Sequence, residues 1–162
     1  MNIPQIAQAK KLLAETPAMT LATASGNQAW AAPVYYVARG AGLYFFSSPG
    51  SRHIKEALDA GTAACAIHAP DMSWKRLMGL QMTGAVEPVS EKRAAALAVG
   101  AYLRKFSFVK AFFAGNPVPT LADLAQKFHA GLYVFLPESV FFMDNSVGFG
   151  FRRPIDPKDL FA

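Results

Sequence analysis

The stretch "SSPGSRH" at residues 47–53 combines the side chains and the turn that an anion site needs. Its hydroxyl and cationic side chains are Ser47, Ser48, Ser51, Arg52 and His53. Hydroxyls, the free N–H groups of a helix start and cationic side chains are the groups that bind phosphate. The alternative is a solvated first turn whose basic side chains point into water.

A short helix is predicted to begin at this stretch. Ser51 is typical of an N-cap, the helix continues through residues 54–60, and Gly61 ends it. Three basic residues then fall near the positive end of the helix dipole: Arg52, His53 and Lys55. Exposed cations are disfavoured there by roughly 0.3–1 kcal/mol each. A bound dianion would turn this repulsion into attraction, and we therefore predict a phosphate at the helix start.

Two predicted strands carry further candidate residues. In "WAAPVYYV", Pro33 removes a hydrogen-bond donor from mid-strand, and the small Ala31 and Ala32 would let a planar ligand approach the backbone. An edge strand or a bulge is the alternative explanation of the proline. Gln81 lies in the apolar strand "GLQMTG", where a buried amide would need hydrogen-bond partners from the backbone or a ligand.

The hydrophobic pattern predicts an α+β fold, a small antiparallel barrel with peripheral helices. Strands are predicted at 18–24, 28–38, 43–47, 62–68, 77–89, 132–136 and 140–144, with helices at 3–15 and 54–60. Residues 90–129 are predicted to be mostly helical with a break around 114–119, and Pro137 and Glu138 are predicted to join the last two strands. The tail "NSVGFGFRRPIDP" is too rich in Gly and Pro to predict regular structure.

Composition narrows the class of protein. The 162 residues are interpreted as one domain, 1–162, with a C-terminal tail at 145–162. With 52% hydrophobic residues and 13 Phe, 5 Tyr and 2 Trp, the chain has more apolar surface than a monomer easily buries, which favours a homodimer. The net charge of +5 is scattered, which favours a small anion over nucleic acid as the partner.

Other functional classes find little support in the sequence. The lone Cys65 lies in an apolar run and cannot form an internal disulfide, and no Cys/His spacing suggests zinc. His68 and His129 are isolated on apolar elements. Neither a signal core nor an apolar run long enough to span a bilayer is present, so we expect no membrane partner and a cytoplasmic location.

The order of these motifs resembles the pyridoxamine 5'-phosphate oxidase-like family of FMN-binding split barrels. The resemblance rests on "MTLATASGNQAWAAPVYYVARGAGLYFFSSPGSRHIKEA" followed by "RLMGLQMTGAVEPV". The ending "DNSVGFGFRR" and the His of "SRH" resemble the small YhbP-like branch.

The resemblance implies a homodimer with two FMN molecules at its interface. Carried over by position, the phosphate ligands would be Ser47, Ser48, Ser51, Arg52 and His53. The backbone of Ala31, Ala32, Pro33 and Val34, with the region of Phe46, would line the ribityl chain and the isoalloxazine ring. Gln81, Asn145 and Arg152 would reach the flavin of the partner protomer.

The departures from the family pattern bear on affinity and on substrate. The true oxidases have Arg where this chain has Ala31 and usually Lys where it has His53. Both changes remove fixed positive charge, and they predict modest FMN affinity. The Arg-Leu-x-Pro ending used for the vitamin substrate is also absent, so oxidation of vitamin B6 is not predicted.

Several functions stay open at this stage. The first is an FMN-dependent oxidoreductase of unknown substrate, because no general acid or base stands out. A non-catalytic flavin carrier or redox sensor is the second. A heme-binding split barrel is the third, with His53, His68 or His129 as the axial ligand. A deazaflavin-binding protein is a fourth.

Overall fold

The computed structural model describes residues 3–70, 73–112 and 120–161. The strands are β1 (Ala18–Ser25), β2 (Gln28–Arg39), β3 (Gly42–Ser47), β4 (Ala63–His68), β5 (Met78–Pro88), β6 (Gly131–Asp144) and β7 (Arg152–Ile155). The α-helices are α1 (Ile3–Glu15), α2 (Arg52–Ala60), α3 (Lys92–Lys105), α4 (Leu121–Phe128) and α5 (Pro157–Phe161). Short 3₁₀ helices lie at Trp74–Arg76 and Ser107–Phe112.

Six of the strands close into an antiparallel barrel. The sheet order is β3-β2-β1-β4-β5-β6-β7, and β3 also pairs with β6, which joins the two ends. Closure removes most of the open sheet edges that would otherwise be free to pair with another chain. Strand β7 pairs only with the second half of β6, from Val140 to Met143.

Alternation of side chains along the strands separates the inside of the barrel from its outside. On β1 the inward residues Met19 and Leu21 are almost fully buried. Strands β3, β5 and β6 complete the core with large side chains: Phe45, Leu80, Phe135 and Phe142. Burial of each side chain of this size stabilises the folded state by roughly 1.5–3 kcal/mol.

The outside of the barrel is covered unevenly. Helix α3 buries Tyr102 and Leu103 in a second apolar cluster with Val37 of β2, and the outward Phe46 of β3 packs against it. The rings of Phe46 and Tyr102 meet edge to face with centroids 5.1 Å apart. Phe46 therefore lies under α3.

The predicted α+β barrel with peripheral helices is confirmed, with two corrections. The predicted strands 132–136 and 140–144 are one continuous strand, β6, because the chain passes Pro137 with only a register shift opposite Thr83 and Gly84. The tail was predicted to lack regular structure, yet β7 and α5 form there because Ile155 and Leu160 are buried in the barrel core.

Among the described residues, the long helical region forms α3, the 3₁₀ helix at 107–112 and α4. Helix α3 begins after Glu91, whose carboxylate accepts hydrogen bonds from the first-turn N–H groups of Arg93 and Ala94. Helix α4 begins with a capping box between Thr120 and Asp123. The predicted break around 114–119 lies outside the described residues.

Candidate functional site

Three polar side chains of the loop between β3 and α2 are hydrogen-bonded to one another. Ser47 Oγ and His53 Nε2 lie 2.7 Å apart, and Ser51 Oγ lies 3.2 Å from Ser47 Oγ and 3.3 Å from His53 Nε2. Ser48 accepts a hydrogen bond from the N–H of Gly50 at 3.3 Å, which tightens the turn. The loop therefore presents a compact group of hydroxyls and an imidazole.

The helix start beside this group is not capped by a side chain. Ser51 occupies the N-cap position with extended backbone, φ −67° and ψ 147°, as predicted, but its hydroxyl accepts no hydrogen bond from the first turn. The first turn of a helix has N–H groups without intrahelical partners. No acidic residue lies in this turn either. The positive end of the α2 dipole is therefore left to solvent or to a ligand.

Arg52 is held in place by two partners that the sequence analysis did not identify. Its Nε donates to Glu56 Oε1 at 2.6 Å, and its guanidinium lies 4.8 Å from the ring centroid of Trp30. Glu56 is buried, and its other oxygen accepts a hydrogen bond from Thr23 Oγ1 at 2.6 Å. Arg52 thus connects the first turn of α2 to the beginning of β2.

The electrostatic state of the loop follows from these contacts. The hydrogen bond from Thr23, together with that from Arg52, lowers the pKa of Glu56, so this carboxylate is charged at neutral pH. Partial burial lowers the pKa of His53, although nearby Glu56 acts in the opposite direction. His53 is therefore neutral at pH 7, and Arg52 supplies the fixed positive charge at this end of the loop.

The first part of β2 has one edge without a strand partner. β2 pairs with β1 from Gln28 to Tyr35, but its pairing with β3 begins only at Tyr36. Pro33 lies in this half-paired part, where a missing N–H on the open edge costs no ladder hydrogen bond. The structure therefore agrees with the edge-strand explanation of this proline, and the open edge also leaves backbone groups accessible.

Side chains on this part of β2 alternate between the barrel and solvent. Ala32 is buried and Val34 packs partly against the core, whereas Ala31 and Pro33 are exposed. Any ligand along this edge would meet Ala32 and Val34 through their backbone.

Gln81 was expected to be buried, and this was wrong. It points outward from β5 and is exposed, because its neighbours Leu80 and Met82 are the ones that face the core. It lies in a row of outward residues formed by register across the sheet: Pro33, Thr20, Ala66, Gln81, Phe141 and Pro154. A groove of about 330 Å³ runs over this outer face, walled mainly by small side chains.

Asn145 and Arg152 lie beyond this groove near the end of β6. Asn145 is buried, and its Nδ2 donates to the carbonyl of Trp74 at 2.8 Å while its Oδ1 accepts from the N–H of Gly150 at 3.2 Å. Its amide thus pins the turn before β7 to the 3₁₀ helix at 74–76. Arg152 is exposed at the start of β7, opposite Met143.

The structure therefore brings the candidate residues together in two groups. The loop group contains Ser47, Ser48, Ser51, Arg52 and His53, next to the open edge of β2. The outer-face group contains Gln81 and Arg152. Sequence reasoning missed Glu56, Thr23 and Trp30; the spacing of four between Arg52 and Glu56 on a helix could have indicated their ion pair.

Other kinds of site find no support in the described part of the chain. The described residues contain no group of three or more His, Cys, Asp or Glu side chains arranged to hold a metal ion. Burial raises the pKa of Cys65 to about 12, so its thiol is not reactive at neutral pH. Among the described residues, no helix is long and apolar enough to cross a membrane.

The closed six-stranded barrel with external helices defines a split-barrel protein. A family model described as pyridoxamine 5'-phosphate oxidase matches residues 6–133, and the chain belongs to this family. No curated protein matches the chain significantly.

Solved structures with the same fold bind different cofactors. An FAD-binding protein from Mesorhizobium loti is 19% identical with a TM-score of 0.61, over 83% of this chain and 88% of that one. A heme binding protein from Mycobacterium smegmatis is 18% identical with a TM-score of 0.72, over 99% of this chain and 61% of that one. HutZ, a heme storage protein from Vibrio cholerae, is 12% identical with a TM-score of 0.62, over 84% of this chain and 89% of that one. At these identities the likenesses show the fold alone.

Proposed function

We propose that this protein binds FMN, with the phosphate at the loop 47–53 and the first turn of α2. The observation that carries the proposal is the uncapped helix start beside the hydrogen-bonded group of Ser47, Ser51 and His53. A phosphate there accepts hydrogen bonds from the first-turn N–H groups and from the serine hydroxyls, and it lies at the positive end of the dipole.

Arg52 supplies the charge that holds the phosphate. Its guanidinium is oriented in advance by Glu56 and Trp30, so little side-chain freedom is lost when the anion binds. The same buried Glu56 offsets part of its charge, and His53 is neutral at pH 7. With Ala31 in place of an arginine, Arg52 is the one fixed cation that we assign to the phosphate, which agrees with modest affinity.

The flavin ring lies along the open edge of β2. The exposed Ala31 and Pro33 have small side chains, so the ring can approach the strand closely and hydrogen-bond to the backbone of residues 31–34. Trp30, which is 44% exposed, and Tyr35, which is 50% exposed, stand at the two ends of this edge. Phe46 acts from beneath α3 by shaping the end of β3.

A second copy of the chain covers the outer face of the barrel and completes this site. The face is an uncharged sheet surface in which Ala66 and Gln81 are exposed and Phe141 is 40% exposed. Within one chain, no hydrogen bond or ion pair among the described residues joins Gln81 or Arg152 to the loop 47–53. In a homodimer these two side chains reach the flavin of the other protomer.

FMN, when bound, supplies hydride and electron transfer, and the protein supplies position and electrostatics. The chain contributes a phosphate anchor, a backbone edge for the ring and an apolar face that excludes water. The described residues around the site contain no carboxylate or histidine placed as a general acid or base, other than Glu56 and His53, which are occupied within the loop. An FMN-dependent redox protein fits this arrangement.

The experiment compares FMN with riboflavin, which differs only in lacking the phosphate. Fluorescence titration of both ligands into the purified protein should show FMN binding at least about tenfold more tightly, the effect of one charge-assisted hydrogen bond. Equal affinities would mean that the loop 47–53 holds no phosphate. The visible spectrum of the same preparation tests the alternative, since a heme ligand would give a Soret band and no flavin bands.

The rate of flavin reduction distinguishes an oxidoreductase from a non-catalytic flavin carrier or redox sensor. Reduction of the loaded protein by NADH or NADPH at a rate well above that of free FMN supports an oxidoreductase. Reduction no faster than that of free FMN supports a carrier or a redox sensor.

A further inference from the structure

A cavity of about 550 Å³ lies between α1, the end of β2, α3 and α5, and it shares no residue with the loop 47–53. Its basic wall residues are Lys10, Arg39, Arg104 and Lys105. None of the described residues that line it is Asp or Glu. The cations converge from three elements, and with no carboxylate among the described lining residues they create a positive potential inside a concave surface.

The floor of this cavity is apolar. Leu13, Val37 and Leu160 are buried there, and Phe161 is partly buried beside them. Small residues keep the space open: Ala14, Ala38, Gly40 and Ala101. The cavity therefore offers apolar contact on one side and positive charge on the other, as small-molecule sites commonly do.

Lys105 is fixed at the back of the cavity. Its Nζ donates to the carbonyls of Thr16 at 2.8 Å and Leu13 at 3.3 Å, and it lies 4.0 Å from the ring centroid of Tyr36. Leu13 lies in the last turn of α1 and Thr16 directly follows this helix, so Lys105 also serves as a cap for it. Burial lowers the pKa of Lys105 to about 8, because the charged ammonium loses solvation in the cavity.

Arg39 and Arg104 have no acidic partner among the residues that the structure describes. The ion pairs recorded among the described residues are Lys11–Glu15 and Arg52–Glu56, and neither involves Arg39 or Arg104. Guanidinium groups bind carboxylate and phosphate in a bidentate manner. Their position at the rim of an apolar cavity suits an anionic head group whose apolar body enters the cavity.

We propose that this cavity is a second binding site, for a small amphipathic anion with a carboxylate or phosphate head group. The anionic head contacts Arg39, Arg104 and Lys105, and the apolar part of the ligand lies against Leu13, Leu160 and Phe161. This site is independent of the flavin proposal, because the two share no element of their binding surfaces except the strand β2.

The test uses calorimetric titration of the full chain with octanoate, octyl phosphate and octanol. Either anion should bind with one site per chain, and octanol should bind at least about tenfold more weakly, since it lacks the charge-assisted hydrogen bonds. The tighter of the two anions identifies the head group. Binding of octanol as tight as that of the anions, or no binding of either anion at millimolar concentration, would overturn the proposal.

Variants locate the site. Arg39→Gln and Arg104→Gln should each weaken octanoate binding several-fold without unfolding the protein, because Arg104 is exposed and neither arginine makes an ion pair among the described residues. Lys127→Gln on α4 is the matched surface control, and Arg52→Ala tests the flavin loop. Wild-type affinity in both cavity variants, or an equal loss in Lys127→Gln or Arg52→Ala, would place the anion elsewhere.

The pH dependence gives a further readout. The charged and titratable groups around Lys105 are Lys10 of α1, Tyr36 and Arg39 of β2 and Arg104 of α3; α5 contributes only apolar Leu160 and Phe161 to the cavity. An anion favours the charged form of Lys105, so octanoate affinity should fall as pH rises through about 8. Lys105→Met should bind weakly with no such fall, and an unchanged pH profile in this variant would contradict the assigned contact.

Discussion

The substitution Arg52→Ala tests how the proposed phosphate site works. Arg52 is a surface residue of the first turn of α2, yet its Nε is bonded to buried Glu56 at 2.6 Å and its guanidinium lies 4.8 Å from the Trp30 ring. The substitution removes the cation that Glu56 and Trp30 hold beside the uncapped helix start, and it leaves the loop hydroxyls in place.

The magnitude follows from the contacts. A hydrogen bond to a charged group contributes roughly 1.5–3 kcal/mol, and the neighbouring Glu56 carboxylate offsets part of the positive charge. We therefore expect the lower end, a loss of about 1.5 kcal/mol or roughly tenfold in FMN affinity. Riboflavin affinity should stay within about twofold, because no phosphate contact is lost.

The assay is flavin fluorescence titration of the wild type, Arg52→Ala, Arg52→Lys and Lys55→Ala. Lys55 is the matched control, an exposed cation of the same helix turn without a partner recorded among the described residues. Arg52→Lys keeps the charge but loses the planar fork, so it should fall between the wild type and Arg52→Ala. Because Arg52→Ala also leaves Glu56 without its cation, urea unfolding must show that the variant is folded during the titration.

Two results would refute the contact between Arg52 and the phosphate. In the first, folded Arg52→Ala binds FMN as tightly as the wild type; in the second, FMN and riboflavin lose affinity equally. The first result would remove Arg52 from the site. The second would mean that the substitution acts through the shape of the loop and not through the phosphate.

Three further changes probe the fold, the loop and the assembly. Gly84→Ala should lower the free energy of unfolding by about 1–3 kcal/mol, because its Cβ would overlap the Leu136 carbonyl. Gly100→Ala should raise the same free energy by up to about 1 kcal/mol, because alanine is the better helix former inside α3. Equal effects of the two variants in urea unfolding would contradict this. The folded state lowers the pKa of His53, so the FMN-free protein should lose stability as the pH falls below about 6.5. Urea unfolding between about pH 7.5 and 5.5 measures this loss, and His53→Asn should reduce it. Ala66→Glu places like charges on the outer face and should convert a dimer into a monomer in sedimentation, and an intact dimer would move the interface to another surface.

Local sequence signals predicted the parts of the fold that depend on neighbouring residues. The "SGN" and "RGAG" turns predicted the strand ends to within one residue, and Gly26 and Gly40 adopt the positive φ that such turns require, 56° and 53°. Helix α2 begins and ends where Ser51 and Gly61 predicted. The order of motifs identified the family, since a linear pattern is what a family model matches.

The local sequence patterns gave wrong predictions where contacts between distant parts of the chain determine the structure. "VFLPESVFF" contains a proline and two polar residues, which locally favour a turn, but pairing with β5 on one side keeps β6 continuous. Gln81 was interpreted as buried because its sequence neighbours are apolar. In a strand exposed on one face, however, the adjacent residues face the opposite side.

The sequence by itself determined the chemistry of the loop 47–53 and the start of α2, because each depends on residues within one turn. Only the tertiary structure decided that Thr23 and Trp30 orient the site through Glu56 and Arg52, since these contacts join residues that are far apart in the chain. The cavity around Lys105 likewise exists only because four separate elements converge there. Barrel closure by β3 and β6 fixes these distances, and its free energy comes from cooperative burial across the whole core rather than from any local pattern.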